Sequence, residues 1–376
     1  MFVLIWRQFR LDPVRTALTT LSIASVIAVI LIFEGFMEGV AEQSREAVLN
    51  RNADLIVAQA GVRNLTLARS VLPQFARTEV EAIPGVREAH PLTGIPVIYS
   101  QSGVRAPLLL FVYDIDGGPS LLVDGQSISA PREIVVDLSF ARKFDLTIGD
   151  SLVLSDFEFK VAGVTRGSAA FFSAFGFVRY DDLIDFYFES DLAADISTFP
   201  LLSFLLVDVA DDAALAAVAD AIEASVDSAD VFFPEEMADQ DEALSRTLLG
   251  PIIRLLVVAG YISGAFVVAI IMFAAANNRR QSLGVLKALG FSQRYLVGAM
   301  IVEALVLTMV ALPAGWLFAH LIATAIESLL PLYRIPVDMP LPLIRTMAAS
   351  LGFGVIGALM PIGMIRRLDP ADVFRS

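Results

Sequence analysis

Leu255–Ala276 reads LLVVAGYISGAFVVAIIMFAAA, 22 residues without an Asp, Glu, Lys or Arg. A helix of that length rises about 33 Å, enough to cross the ~30 Å hydrocarbon core of a bilayer. Three further runs share the property: Thr16–Phe33, Ala304–Ile326 and Thr346–Ile365. The buried helices of a large soluble enzyme are the other source of such runs. Four of them in a chain that is 56% apolar, with mean hydropathy +0.69, predict four transmembrane helices instead. One run lies near the start and three in the last third, and the stretch between the first and second is polar and acidic.

Lys and Arg beside the runs set the orientation, because cytoplasmic flanks carry an excess of them. Arg7, Arg10 and Arg15 precede the first run, and Arg366, Arg367 and Arg375 follow the fourth. Arg279, Arg280, Lys287 and Arg294 fill the loop between the second and third with no acidic residue among them. Both termini and this loop are therefore expected in the cytoplasm of a bacterial plasma membrane, and Glu34–Gly250 outside. That outer segment holds 35 acidic and 14 basic residues, a net charge of −21, which accounts for the −14 of the whole chain. So acidic a surface repels nucleic acid and anionic lipid headgroups alike. The first run is long for a signal peptide, and Glu34-Gly35-Phe36-Met37-Glu38 follows it in place of a small-residue cleavage site, so it reads as a retained anchor. The chain has no cysteine; no disulfide braces the outer segment and no thiolate binds metal there.

Glu34, Glu38 and Glu42 recur every fourth residue and share a helical face, so the first span is expected to continue outward as a stalk. Glu235–Leu249 reads as a second stalk, with Met237, Ala238, Leu244 and Leu248 inward, interrupted by Gly250 and Pro251. Between them, 54–59 reads as a strand, 74–82 as a helix closed by Pro84 and Gly85, and 97–100 as a strand. A second strand, helix and strand follow at 204–209, 213–225 (behind Asp211 and Asp212) and 230–233. The intervening segment reads as all-β, with strands at 133–136, 151–154 and 158–164; Gly117, Gly118 and Pro119 at its entrance suit a linker or a plain turn.

Within the membrane, Gly35 with Gly39 and Gly260 with Gly264 are spaced for close helix approach, in a dimer seam or in the glycine-rich packing common to such helices. Pro313 and Pro361 are expected to kink their helices. Glu303 is the one carboxylate in an apolar run; it is a functional candidate or pairs near the cytoplasmic face. His90 and His320, the only histidines, give no metal-site pattern. Phe171, Phe172, Phe175 and Phe177, flanked by Gly167 and Gly176, read as a buried strand or, if exposed, as a contact for substrate or partner. In the cytoplasmic loop, Leu283, Leu286 and Leu289 can form an apolar strip beside Arg279, Arg280 and Lys287, a surface suited to a groove on a partner.

The loop Arg279-Arg280-Gln281-Ser282-Leu283-Gly284-Val285-Leu286-Lys287-Ala288-Leu289-Gly290-Phe291-Ser292 resembles that of FtsX-like and MacB-type ABC transporter permeases, of pattern R-R-x-E-I-G-V-L-K-A-L-G-A-S. It departs at Ser282 and Phe291. The runs Ile134-Val135-Val136-Asp137 with Phe140-Ala141 and Leu146-x-x-Gly149-Asp150, and Phe159-x-Val161-x-Gly163-Val164, resemble the β insertion of MacB-like ectodomains. Ile83-Pro84-Gly85-Val86 with Pro91, and the tail Leu368-Asp369-Pro370-Ala371-Asp372-Val373, are similar to further family segments. In size and plan, the stand-alone DevC-like and HrtB-like permeases match best.

The resemblance implies four transmembrane helices plus an α+β extracytoplasmic domain. On it, 1–33 is the cytoplasmic N-terminus and first span, and 34–250 the outer domain, porter-like over 53–113 and 199–234 with a β insertion at 114–198. The second span is 251–276, the coupling loop 277–295, the third span 296–326, a short external loop 327–345, the fourth span 346–365 and the cytoplasmic tail 366–376. It also implies coupling to an ATPase through Arg279, Arg280, Leu283, Gly284, Leu286, Lys287, Leu289, Gly290, Asp369 and Pro370. The chain lacks a G-x-x-x-x-G-K-S/T phosphate loop, so ATP and Mg are expected on a separate cytoplasmic ATPase, with no cofactor on this chain and no enzymatic activity of its own. A second permease copy, as a homodimer or heterodimer, and a membrane-fusion or adaptor protein are the other implied partners. The function implied is efflux or extraction of a hydrophobic or amphipathic substrate by mechanotransmission. A lipoprotein-releasing Lol-type permease and an FtsX-like signalling subunit controlling a cell-wall hydrolase are the alternatives.

Overall fold

The structure, a computed structural model, describes residues 13–67, 70–73, 75–101, 103–114, 118–189 and 201–360. In chain order the helices are α1 (Pro13–Leu49), α2 (Phe75–Glu81), α3 (Leu138–Phe144), α4 (Tyr180–Glu189), α5 (Leu215–Ser225), α6 (Pro234–Asn278), α7 (Arg280–Ala288), α8 (Gln293–Leu329) and α9 (Pro340–Leu359). The strands are β1 (Leu55–Gln59), β2 (Leu72–Pro73), β3 (Val86–Gln101), β4 (Val104–Tyr113), β5 (Leu122–Gly125), β6 (Glu133–Asp137), β7 (Ser151–Leu154), β8 (Phe157–Thr165), β9 (Ala169–Ala170), β10 (Ser173–Arg179), β11 (Leu201–Leu202), β12 (Phe204–Val209) and β13 (Ala229–Phe232). The chain divides into two compact units, one of 39–248 with 327–334, the other of 1–38, 249–326 and 335–376.

The first unit is built on one sheet of order β13-β1-β12-β3-β4-β10-β6-β8-β5, with β7 added on β8 and β9 on β10. Its first four strands and the helices α2 and α5 follow the split βαβ pattern of ferredoxin-like folds. Side chains alternate across a strand, and β1 shows the result. Leu55 and Val57 pack with Val80 of α2 and Ile222 of α5, while Ile56 and Ala58 pack with Ala47 and Val48 of α1 and Met237 and Ala238 of α6. The strand expected at 97–100 is part of a 16-residue strand. Its residues Val86–Leu92 pair with β12, and Leu92–Gln101 pair with β4. From β4 the sheet passes by parallel pairing into β10, Ala174 beside Leu108 through Arg179 beside Tyr113. The β segment expected as an insertion thus continues the same sheet, over a core that includes Phe140 and Phe144 of α3 and Leu183 and Phe186 of α4.

Two local expectations are corrected. Ala214 stands at the N-cap of α5 and makes no side-chain bond, so neither Asp211 nor Asp212 caps it. Helix α6 runs unbroken through Gly250 and Pro251. Proline removes one backbone hydrogen bond from a helix interior, which the long apolar remainder of α6 offsets.

The second unit is a helical bundle whose interior takes Ile23, Ile27 and Ile30 of α1, Val268 and Met272 of α6, Leu296 and Leu307 of α8, and Phe353 of α9. Its outer surface is also apolar: Leu255, Phe266, Ile270, Met309, Leu321 and Ile356 are all exposed. Helices apolar on every side belong in lipid, and four helices here are long and apolar enough to cross a membrane. Hydroxyls inside them turn back on their own helix, as Ser25 Oγ does on the Leu21 carbonyl at 2.9 Å and Thr308 Oγ1 on that of Ala304 at 2.9 Å. Each such bond satisfies its hydroxyl within the helix.

Candidate functional site

The cytoplasmic-type loop folds as α7, a nine-residue helix with defined ends. Gly290, at φ +91°, closes it. The Phe291 N–H donates to the Leu286 carbonyl at 3.1 Å and the Gly290 N–H to that of Lys287 at 3.1 Å, the pair of bonds that ends a helix on a left-handed glycine. Lys287 in the last turn complements the carbonyl end. Arg279 directly follows Asn278, the last residue of α6, and its Nη1 donates to both Glu303 carboxylate oxygens at 2.9 and 3.0 Å. Glu303, buried on α8, therefore pairs with Arg279. A carboxylate at that depth is costly alone and is compensated by the guanidinium.

The pairing divides the expected coupling residues. Arg279 is bound to Glu303, whereas Arg280 is exposed; Leu283, Leu286 and Lys287 are half-buried and Gly284 is buried. The exposed apolar groups are Val285 at 42%, Leu289 at 72%, Phe291 at 41% and Tyr295 at 40%, with the last two rings 5.2 Å apart. Val285 and Leu289 are four apart and share a helical face. Of the strip expected at Leu283, Leu286 and Leu289, Leu289 is exposed and Leu283 and Leu286 are half-buried, with Val285 and Phe291 exposed beside Leu289. Phe291 carried a signal in the sequence, as a position where the loop departs from the family pattern. Asp369 and Pro370, with Arg7, Arg10, Gly117, Pro361, Arg366, Arg367 and Arg375, lie outside the described residues.

Within the sheet-containing unit, the last turns of α1 and the first of α6 are tied to each other and to the strands. Ser44 Oγ and Ser245 Oγ are 2.7 Å apart and buried, and Arg45 pairs with Glu235 and Asp239. Asn50, just past α1, is a hub. Its Nδ2 donates to the Arg166 carbonyl at 2.9 Å and to Ser168 Oγ at 2.7 Å, and its Oδ1 accepts from Ser120 Oγ and the Leu121 N–H, each at 2.8 Å. Asp241 of α6 accepts from the Leu65 N–H at 2.7 Å and from Thr66 Oγ1. Burial pushes its carboxyl above the ordinary range, against the opposing pull of the Thr66 and Leu65 hydrogen bonds. Asp137 caps α3, accepting from the Ser139 N–H at 2.8 Å and the Ser168 N–H at 3.0 Å, and burial raises it too.

The phenylalanine cluster separates. Phe175 and Phe177 are fully buried in the sheet core, so they offer no contact to substrate or partner. Alternation along β10 places both against Phe111. Phe171 and Phe172 sit half-buried in a left-handed turn, φ +46° and +65°, with Phe172 5.7 Å from Tyr333. The glycine pairs are also redirected from a dimer seam to packing within the chain. A Cβ on Gly260 would meet Ile30 at 2.9 Å, one on Gly264 Val26 at 3.1 Å and Phe353 at 3.2 Å, and one on Gly35 the Pro336 carbonyl at 2.9 Å; Gly39 is buried.

Residues 16–225 match the family described as MacB-like periplasmic core domain, and residues 254–370 the FtsX-like permease C-terminal. An ABC transporter permease of Mycobacterium bovis is 23% identical over 386 residues, covering 98% of this chain and 96% of the relative. The macrolide export ATP-binding/permease protein MacB of Nitrosomonas europaea is 19% identical over 399 residues, 99% of this chain and 58% of that protein. The crystal structure of the periplasmic region of MacB from Actinobacillus actinomycetemcomitans aligns at a TM-score of 0.37 and 10% identity, over 52% of this chain and 95% of that one. With one family covering the outer domain and the first span, and the other the remaining spans with the loop between them, the chain belongs to the FtsX-like, MacB-type permeases of ABC transporters.

Proposed function

We propose that the chain is the permease subunit that converts ATP hydrolysis on a separate cytoplasmic ATPase into export or extraction of a hydrophobic or amphipathic substrate, by mechanical transmission. The observation that carries this reading is α6. It is one helix of 45 residues, about 67 Å long at helical rise, tied near its start to the loop between β1 and β2 through Asp241 and continued at Asn278 by Arg279, which pairs with Glu303 of α8. On this reading, force applied at α7 passes along that helix. The exposed Arg280, Val285, Leu289 and Phe291 form the surface offered to the ATPase, a charged and apolar helix for a groove. On this reading both termini and α7 are cytoplasmic, the outer domain is extracytoplasmic, ATP and Mg sit on the partner, and a second permease copy completes the transporter.

Co-expression with a cytoplasmic ABC ATPase from the same genome tests the docking. Arg280→Glu with Leu289→Asp is expected to lower co-purification at least about tenfold while leaving the permease folded, since truncating or reversing groups at the centre of an interface costs ~2 kcal/mol or more. Undiminished recovery of the ATPase with this double variant would overturn the assignment. Hydrolysis stimulated only by a bound wall hydrolase, and by no amphipathic cargo, would replace transport with signalling.

A further inference from the structure

Arg51 is the least expected residue of the outer unit. It is 2% exposed, and none of its three guanidinium nitrogens has a hydrogen-bond partner. Its Cζ lies 4.4 Å from the ring centre of Phe111, 4.7 Å from that of Phe177 and 5.4 Å from that of Phe175. Ring faces attract a cation, the more so when it is desolvated. Five N–H donors left without acceptors oppose this. Burial lowers its pKa to about 9, so the group remains charged at neutral pH. A buried charge without a counter-ion is rare because it is costly, and here the surrounding structure explains where the counter-ion would stand.

Arg51 lines two cavities, of about 470 and 620 Å³. The larger combines an apolar wall of Leu122, Ile128 and Val135 with Tyr113, Ser127 and a second guanidinium, Arg179. One carboxylate, Asp208, lines it as well, and Arg179 pairs with Asp181 at 3.5 Å, so Arg51 is the lining cation that a further negative charge would serve. The volume falls in the range of small-molecule sites, and the apolar wall stands within a lining that is otherwise polar. Next to Arg51, Asn52 holds a left-handed φ of +54° and Asn50 is fixed by its hydrogen bonds to the strands, so the backbone that carries the guanidinium is rigid.

We propose that this cavity binds a monoanionic carboxylate carrying a short apolar body, with Arg51 as its counter-ion and Arg179 as a second cationic contact. The guanidinium nitrogens are closed to solvent, so the side chain turns from the three rings toward the cavity as the ligand enters, exchanging ring contacts for a two-pronged ion pair that a planar guanidinium is shaped to make. The site is independent of the transport reading, since binding needs neither ATPase nor nucleotide.

The test is calorimetric titration of the full chain in lipid nanodiscs, with empty discs subtracted. Hexanoate stands for a free amphipathic acid, an N-acetylated dileucine for a peptide C-terminus, and inorganic phosphate for a bare anion. Saturable binding of either acid is expected, and the tighter of the two identifies the source. Arg51→Met is expected to weaken it at least about tenfold while keeping or raising the thermal midpoint. Ser127→Trp, which adds an indole to the cavity wall and leaves Arg51 in place, is expected to abolish it. Absence of saturable binding by both acids, unchanged binding in Arg51→Met, or phosphate binding as tightly as the acids would each overturn the proposal.

Discussion

Arg279 and Glu303 form an ion pair in which each residue is needed mainly because the other is present. Removing one partner leaves a poorly solvated charge, which typically costs about 3–5 kcal/mol for a fully buried pair; the Arg279 side chain is 31% exposed and that of Glu303 11%, so about 2–3 kcal/mol is expected. Glu303→Ala should therefore lower the thermal midpoint of the detergent-solubilised chain clearly. The double variant Arg279→Met with Glu303→Leu should recover most of the loss, and a double-variant loss equal to the sum of the singles would show that the two do not interact. Asp241 makes a pH-dependent prediction. Burial raises its carboxyl above the unfolded value, so the folded protein keeps a proton that the unfolded chain has released. Its contribution to stability is therefore complete below the unfolded pKa and is lost as pH rises through the folded one. Asp241→Asn, which retains an acceptor for the Leu65 N–H, should flatten the fall of the unfolding midpoint as pH rises above the ordinary carboxylate range; an unchanged slope would assign it to other groups. At this scale the sequence is misleading where burial depends on distant strands. Asn50-Arg51-Asn52 is an unbroken polar triplet, and the convergence of Phe111 with Phe175 and Phe177 encloses the arginine.

The helices of the bundle were legible because lipid imposes a local rule, an uncharged run of sufficient length, that needs no knowledge of neighbours. The glycine spacing was legible too, but not which helix each glycine faces, since the same spacing serves a second copy or the same chain. The structure makes that distinction quantitative in α9. A Cβ on Gly357 would lie 2.8 Å from the Ala269 backbone nitrogen and 2.8 Å from the Val268 side chain, whereas one on Gly352 would meet nothing within 4 Å. Gly357→Ala is expected to push α9 from α6 and cost about 1–3 kcal/mol. Gly352→Ala should be neutral or stabilise by up to about 1 kcal/mol through helix propensity. Thermal unfolding of the two variants side by side checks this, and equal midpoints would refute the close approach of α9 to α6.

The molecule as a whole was legible in its order of spans and outer domain, and less so in the continuity of its outer sheet. Strand β3 reads only at its end, 97–100, because Pro91, Gly94 and Pro96 punctuate what precedes it, yet pairing with β12 at one end and β4 at the other carries it across; the parallel pairing of β10 with β4 joins segments far apart in sequence and leaves no local trace. One sheet rather than two separate modules matters for transmission, because a displacement of α1 at Asn50 reaches Ser120, Arg166 and Ser168 directly. If α6 acts as a rigid rod, its continuity should matter more than the identity of any side chain along it. Insertion of three glycines after Leu248 interrupts the helix at the boundary between the two units while leaving α7, Glu303, Asp241 and the strands in place. Three glycines cost the helix ~3 kcal/mol in propensity and give it a joint. The variant should still recover the ATPase and hydrolyse ATP, but cargo should no longer stimulate that hydrolysis and export should cease. Retention of both cargo stimulation and export in proteoliposomes would mean that the signal travels by α1 alone or by another route, and the mechanical role of α6 would have to be abandoned.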